Sequence, residues 1–435
     1  MKKQVIRKLI ILIGAPIIGL VLLLIVNLLP NVNVYKHVYW SMDTIVPEFE
    51  DETLVDGYRA TLTGNFTDCI MILHALYDHP GHSALEQSIM MYRPEFLNDS
   101  LNPDGWQPGN SLVDYVLNNN INREVSYGRY WHGYLIFLKP LLMMTSLGSL
   151  RLFFSAFQLI LLCFILIELT SKGMKRVAWA FLISMPFMFF FSTFASLSLS
   201  VCFYLVIFAM YVLIRFWDKL EEKKFFFEIF LIFGILTSYF DFLTYPLVTL
   251  GYPLVFYAYR KISDTPSGEK KNFLFASTVL NSAAWFIGYG FMWMSKWLIA
   301  ALLGYKGLVG NAFTTVNTRL QSAESMSRVK GFFRVIGLNL KPYLNWGFFI
   351  YLGLIILGLA AALLIKRQKD FSFKSVLTNL KTAWVILFIA IYPFIWFAAL
   401  ENHSEQHWIY TCRIFAISVF ALSTFWVSIT ENRAK

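Results

Sequence analysis

Residues 401 to 413 read E-N-H-S-E-Q-H-W-I-Y-T-C-R, and the runs on either side, 382 to 400 and 414 to 430, contain no charged residue. His403 and His407 are four apart, so on a helix they share one face. With Arg413 they offer donors to phosphate oxygens, for which charge-assisted hydrogen bonds are strong. A zinc pair is the competing reading, but H-x-x-x-H here lacks the Glu after the first His and an evident third ligand. Anion binding is therefore preferred to metal binding, and the metal stays unknown.

Other chemistry-bearing residues stand at the edges of apolar runs. Arg129 and His132 lie in Ser126-Tyr127-Gly128-Arg129-Tyr130-Trp131-His132-Gly133-Tyr134, a basic and aromatic stretch that opens an amphipathic element. Asp241 sits among aromatics in Ser238-Tyr239-Phe240-Asp241-Phe242, and Lys296 follows Trp293-Met294-Ser295. A charge at membrane depth costs about 2.5 to 3.5 kcal/mol on insertion scales, so it needs a partner or a task. Lys296 has a third option, snorkelling to the interface. Asp68 heads the apolar run Cys69-Ile70-Met71, where a general base and a helix-dipole stabiliser are equally served. Asp43 is the next carboxylate, followed by Glu48, Glu50, Asp51 and Glu52. The group Asp78-His79-Pro80-Gly81-His82 reads as a polar turn before it reads as a ligand set.

The elements that must position these residues follow from composition. The 435 residues are 57% hydrophobic and only 15% charged, against about 25% charged in ordinary soluble domains. The apolar residues come in blocks long enough to cross hydrocarbon as helices. The fold class expected is all-α: a polytopic transmembrane bundle of ten spans, at about 9 to 29, 149 to 170, 177 to 193, 200 to 216, 226 to 240, 246 to 259, 272 to 299, 345 to 365, 382 to 400 and 414 to 430. Basic residues orient it, because cytoplasmic loops hold the excess. The segments assigned inside carry 22 of the 37 Lys and Arg. Both termini are then cytoplasmic, and 401 to 413 faces out.

Three regions result: an anchor at 1 to 30, an extracytoplasmic loop with juxtamembrane helices at 31 to 148, and a transmembrane bundle at 149 to 435. The bundle contains a second outer loop at about 300 to 344. The net charge of +10 is largely this topology signal, so it gives nucleic-acid binding no support. The first loop is acidic, with 14 Asp and Glu against 6 Lys and Arg. In the second, Ser325 to Ile336 alternates basic and apolar residues, as an interfacial helix would. All seven histidines fall on the outer side. The four cysteines show no metal or redox spacing.

This architecture resembles the GT-C superfamily of membrane glycosyltransferases, which take a sugar from a polyprenyl-phosphate carrier. Gly133-Tyr134-Leu135-Ile136-Phe137-Leu138-Lys139-Pro140-Leu141 and Gly148-Ser149-Leu150-Arg151 match loosely that family's juxtamembrane motif and the start of its second span. The likeness covers the overall topology and about 40 residues of detail. It departs from the family in lacking an acidic dyad close to the first span. The resemblance implies transfer of a glycosyl group to an extracytoplasmic acceptor in the cell envelope, on the outer side of the cell membrane. Asp68 first and Asp43 second would act as base, and Arg129, His132, Asp241, Lys296, His403, His407 and Arg413 would bind substrate. The partners implied are a lipid-linked sugar donor, membrane lipids and the acceptor; some family members need a divalent metal and others none.

Two other classes compete. A flippase or transporter of lipid or polysaccharide would place ionisable groups near the bilayer midplane or show repeated halves. The placed spans hold acidic groups only near their ends, at Glu168, Glu228 and Asp241. An assembly protein of similar architecture without catalysis would lose nothing when Asp68 is replaced.

Overall fold

The computed structural model describes residues 2–45, 53–58, 61–63, 65–96, 107–119, 121, 123–264, 271–320, 327–367 and 373–430. Glu48, Glu50, Asp51, Glu52, Ser325 and Met326 lie outside these residues.

Each stretch expected to span the membrane is helical, but the ten are not alike. Gln4–Asn27, Leu147–Ser171, Leu197–Glu222, Asn379–Ala399 and Trp408–Thr430 are long and apolar enough to cross a membrane. Arg328–Tyr343 and Trp346–Gly358, bent by 83°, make a sixth if taken as one span. The chain is thus an all-α membrane protein. Phe226–Phe240 has 15 residues and Val248–Asp264 has 17, short against the roughly 20 that about 30 Å of hydrocarbon requires. The stretch 177 to 193 is broken, contrary to the single span expected. Lys175–Ser184 gives way to a 3-10 turn, Met185–Met188, which contains Pro186. Phe189, at φ +50°, then redirects the chain into Phe190–Ala195.

Close backbone approach sets the centre of the bundle. Helices Phe226–Phe240 and Lys271–Leu302 meet at Gly234 and Gly288. A Cβ on Gly234 would strike the Trp285 carbonyl, and one on Gly288 the Leu231 carbonyl. Small residues at such crossings allow the dense packing that joins helices where lipid removes the hydrophobic drive. The first helix, Lys2–Asn27, is fixed at one end by the ion pair of Arg7 with Glu228. Further along, Gly19 accepts from the Tyr239 hydroxyl at 2.7 Å, and Asn27 donates to Ser88 at 2.9 Å.

The segment at 31 to 148 contains the expected short helices, including Asn65–Leu76, Ala84–Met90, Pro108–Leu117 and Leu135–Leu142. It also contains a feature the sequence reading lacked. Strands β1 (Tyr92–Glu95) and β2 (Arg123–Ser126) pair antiparallel, with Tyr92 opposite Ser126 and Glu95 opposite Arg123.

The second long connecting segment, at about 300 to 344, contains helices Lys306–Leu320 and Arg328–Leu340, and both pack on the short helix Glu401–Gln406. Arg334 pairs with Glu405 at 2.8 Å, and Asn339 donates to the Ser404 carbonyl at 3.1 Å while accepting from Thr411. Gly331 lies directly against the Glu401 carboxylate. The basic helix read as interfacial is thus docked on the polar stretch 401 to 413.

Candidate functional site

Helix Lys271–Leu302 carries Trp293, Lys296 and Trp297 at helical spacing, so all three side chains leave the same face. Trp293 and Trp297 donate their indole N–H to the Arg129 carbonyl at 2.7 and 3.1 Å, and Lys296 Nζ donates to the Tyr130 carbonyl. These bonds clamp the backbone of residues 129 and 130. Lys296 is 1% exposed and lies over the Trp131 ring. Expected as a phosphate donor, it serves instead to position Arg129 and Tyr130.

The clamped segment presents a cationic and aromatic cluster. The Arg129 guanidinium lies 4.3 Å from the Tyr127 ring centre and 5.5 Å from that of Tyr130. Arg319, from helix Lys306–Leu320, reaches the same Tyr130 ring at 5.9 Å. Trp293 stacks on Tyr130 with centroids 5.9 Å apart and planes 9° from parallel. Among the described residues no carboxylate pairs with Arg129 or Arg319. Arg129 donates to Asn311 Oδ1 at 3.3 Å and Arg319 to His403 Nδ1 at 3.0 Å.

His403 is 2% exposed and its ring faces the Leu243 backbone carbonyl as well as Arg319. Burial pushes its basicity well below the usual histidine range, and the charges of Arg319 and His407 add to this. The His407 ring lies 4.8 Å from it and is held down to about 4, by burial first and Arg319 second. Both rings are therefore neutral at pH 7: His403 holds Arg319, His407 packs against His403, and neither adds positive charge.

Asp241 shapes the turn that bears Leu243. It accepts from the Thr244 backbone N–H at 2.9 Å and from the Thr244 hydroxyl. This holds Leu243 at φ +66°, a left-handed conformation costing about 1 to 2 kcal/mol for a non-glycine residue. Phe242, between them, contacts Tyr127, Tyr130, His132 and Tyr134. Asp241 is thus a positioning residue, not a substrate ligand.

An apolar groove of about 510 Å³ opens beside this cluster. Leu243, Trp285, Tyr289, Trp293 and Trp396 are among its walls, and Arg319 is the one charged residue among those lining it. The combination is a hydrocarbon-compatible channel with an arginine in its wall.

The remaining expected site residues lie elsewhere. His132 is buried, donating through Nε2 to the Tyr127 carbonyl at 2.9 Å and bonding the Tyr134 hydroxyl through Nδ1 at 3.0 Å. Its ring packs 4.5 Å from His74. Both nitrogens are used internally, which corrects its assignment to substrate. Arg413 is fully buried under the Phe189 and Tyr245 rings, donating to Ser192 Oγ at 2.8 Å and to the Ile409 carbonyl. It is part of the bundle interior, where Thr411 to Ile414 turn inward.

Asp68, the expected base, is 1% exposed and accepts from the backbone N–H of Leu197 at 2.8 Å and of Ser198 at 2.9 Å. Arg151 is 3.7 Å away. These are the first amides of helix Leu197–Glu222, so the carboxylate caps that helix and complements its dipole. Burial raises its proton affinity, opposed first by Arg151. The two oxygens are occupied, which corrects its assignment as base. Asp43 is exposed on the short helix Met42–Ile45.

Arg319 and Tyr130 were not singled out from sequence. Arg319 was visible only as one of the basic residues that break the charge rule in the second outer loop. Among the described residues no three His, Cys, Asp or Glu side chains are placed to hold a metal ion. Compared with known protein families, curated proteins and solved structures, the chain matches none.

Proposed function

We propose that this protein is a membrane glycosyltransferase of the GT-C type, with ten spans and both termini cytoplasmic, acting at the outer face of the cell membrane. The observation that carries the reading is the pair Arg129 and Arg319. Two guanidiniums that have no carboxylate partner among the described residues converge on one tyrosine beside an otherwise apolar groove. The apolar groove would take the first part of a polyprenyl tail, and the arginines its phosphate.

In the reaction the bond between the sugar's anomeric carbon and the phosphate oxygen breaks, and its electron pair stays on that oxygen. The phosphate passes from one negative charge to two. A pair of fixed guanidiniums stabilises the second charge as it develops, the arrangement that contributes most to catalysis. The acceptor hydroxyl attacks the anomeric carbon and gives its proton to a base. Asp68 is committed to a helix cap, and Asp43, the second candidate of the sequence reading, is not among the residues gathered at the arginine pair, so the base is left unassigned.

The test uses purified protein in vesicles and a panel of radiolabelled polyprenyl-phosphate sugars. Intact protein should transfer the label, and Arg319→Ala and Arg129→Ala should each lose most of the activity while remaining folded. Equal transfer by both variants would remove the site. No consumption of any donor, together with movement of fluorescent lipids between leaflets, would replace the enzyme by a flippase.

A further inference from the structure

A second groove, of about 380 Å³, shares no lining residue with the first and has neither Arg129 nor Arg319 in its walls. Its walls are the juxtamembrane helix Leu135–Leu142 and the two membrane-length helices Leu147–Ser171 and Leu197–Glu222. We infer that it holds one hydrocarbon chain of a bilayer lipid, taken in from the side.

Three observations select that occupant. The lining includes Leu138, Leu141, Phe154, Val201 and Leu205, and no charged residue. The few polar groups present are already satisfied within the protein. Tyr134 Oη bonds His132, Tyr204 Oη donates to the Phe154 carbonyl at 3.2 Å, and Ser200 Oγ donates to the Leu197 carbonyl at 2.7 Å. A polar ligand would leave its own groups unpaired there, at a cost a methylene chain does not incur. Finally, lining residues Phe137, Phe153 and Phe157 are 60, 54 and 40% exposed. Because two walls are membrane-length helices, the medium these rings meet is hydrocarbon, and the groove is open to it.

One wall residue, Tyr134, links the groove to the aromatic cluster. Tyr134 bonds His132, and Phe242 packs on both and on Tyr130. A chain seated against Tyr134 therefore supports the same aromatic partition that stands behind the arginine pair. The proposal concerns lipid binding and does not depend on glycosyl transfer.

The experiment places the full chain in nanodiscs containing phosphatidylglycerol with a diazirine in one acyl chain, irradiates, and maps the labelled peptides. Labelling per residue should be at least fivefold higher at Phe154, Val201 and Leu205 than at the bilayer-facing Ile160 and Ile167. Val201→Trp should abolish the excess by filling the groove, and Leu141→Trp should do so from the opposite wall. Leu159→Trp, on the outer surface of the same bundle, should leave it unchanged. Folding of each variant is checked by thermal unfolding, so that two independent groove-filling variants keep the test decisive. Uniform labelling, or an excess that survives both substitutions, would overturn the assignment.

Discussion

Arg319 donates to Nδ1 of His403 across 3.0 Å, which only a neutral imidazole can accept. The contact joins helix Lys306–Leu320 to the polar stretch 401 to 413, and it aims the guanidinium at Tyr130 and the groove. Positive charge at this point comes from the arginines, and the histidines act as neutral supports.

The first prediction is a pH dependence of stability. His403 and His407 have depressed values in the folded protein, so the unfolded chain takes up protons first as the pH falls. Stability is therefore complete above the ordinary histidine value of 6.5 and declines as the pH drops toward about 4, the folded value of His407. The His407 ring accounts for on the order of 3 kcal/mol across that window, and His403 acts in the same direction. His74 and His132 are depressed in the same direction, so the comparison must be with variants. Thermal unfolding in detergent at pH 7.5, 6 and 4.5 should show a shallower pH slope for His403→Gln and His407→Gln than for the parent. Identical slopes would mean that the pair is not held neutral.

A second prediction separates charge from geometry at position 319. Arginine presents a planar fork that can hold His403 and a phosphate together, whereas lysine is a point charge on a flexible stem. Arg319→Lys should weaken binding of a polyprenyl-phosphate sugar, and Arg319→Ala should weaken it further. Loss of a charged hydrogen bond is worth about 1.5 to 3 kcal/mol, so roughly 10- to 100-fold in affinity is expected for alanine. Binding measured in nanodiscs with labelled donor checks this, and an alanine variant that binds like the parent contradicts the site.

The parts of this architecture that rest on composition and period were readable from the chain. Helices fall on all ten expected apolar stretches, because backbone groups in hydrocarbon must bond within their own segment. Partner choice was not readable. Asp68 looked like a base and is a cap, since the amides it serves belong to Leu197 and Ser198, 129 and 130 positions away. Lys296 looked like a phosphate donor and clamps Tyr130, a contact across 166 positions. Arg129 stood out by its aromatic neighbours, while Arg319 lay in an unremarkable amphipathic stretch and acquires meaning only when its helix docks on residues 401 to 406. The break at Phe189 had a local signal in Pro186, outweighed by the hydropathy around it.

The capping role of Asp68 leads to the third prediction. Asp68→Ala removes the acceptor for two helix amides, costing about 1 to 2 kcal/mol, and it also takes a carboxylate from beside Arg151. The melting temperature should fall. Transfer per folded molecule should stay within about twofold of the parent, where loss of a general base would cost on the order of 100-fold or more. Activity normalised to the folded fraction distinguishes the two, and a hundredfold drop without a change in melting would restore Asp68 as the base.

The docking of helix Arg328–Leu340 on Glu401–Gln406 gives the fourth prediction, through Gly331 and Glu401. A Cβ at 331 would overlap the Glu401 carboxylate, which is 4% exposed and has little room to yield. Gly331→Ala should destabilise the protein by about 1 to 3 kcal/mol, the usual cost of overpacking. It should also push helix Arg328–Leu340 off Glu401–Gln406, stretching the ion pair of Arg334 with Glu405. Shortening the facing side chain removes the overlap, so Glu401→Ala combined with Gly331→Ala should recover most of the lost stability. A double-mutant cycle on melting temperature measures the coupling. Strictly additive effects would show that these helices do not meet at this point, and the placement of Arg319 beside the groove, which depends on the same loop being docked, would have to be abandoned with it.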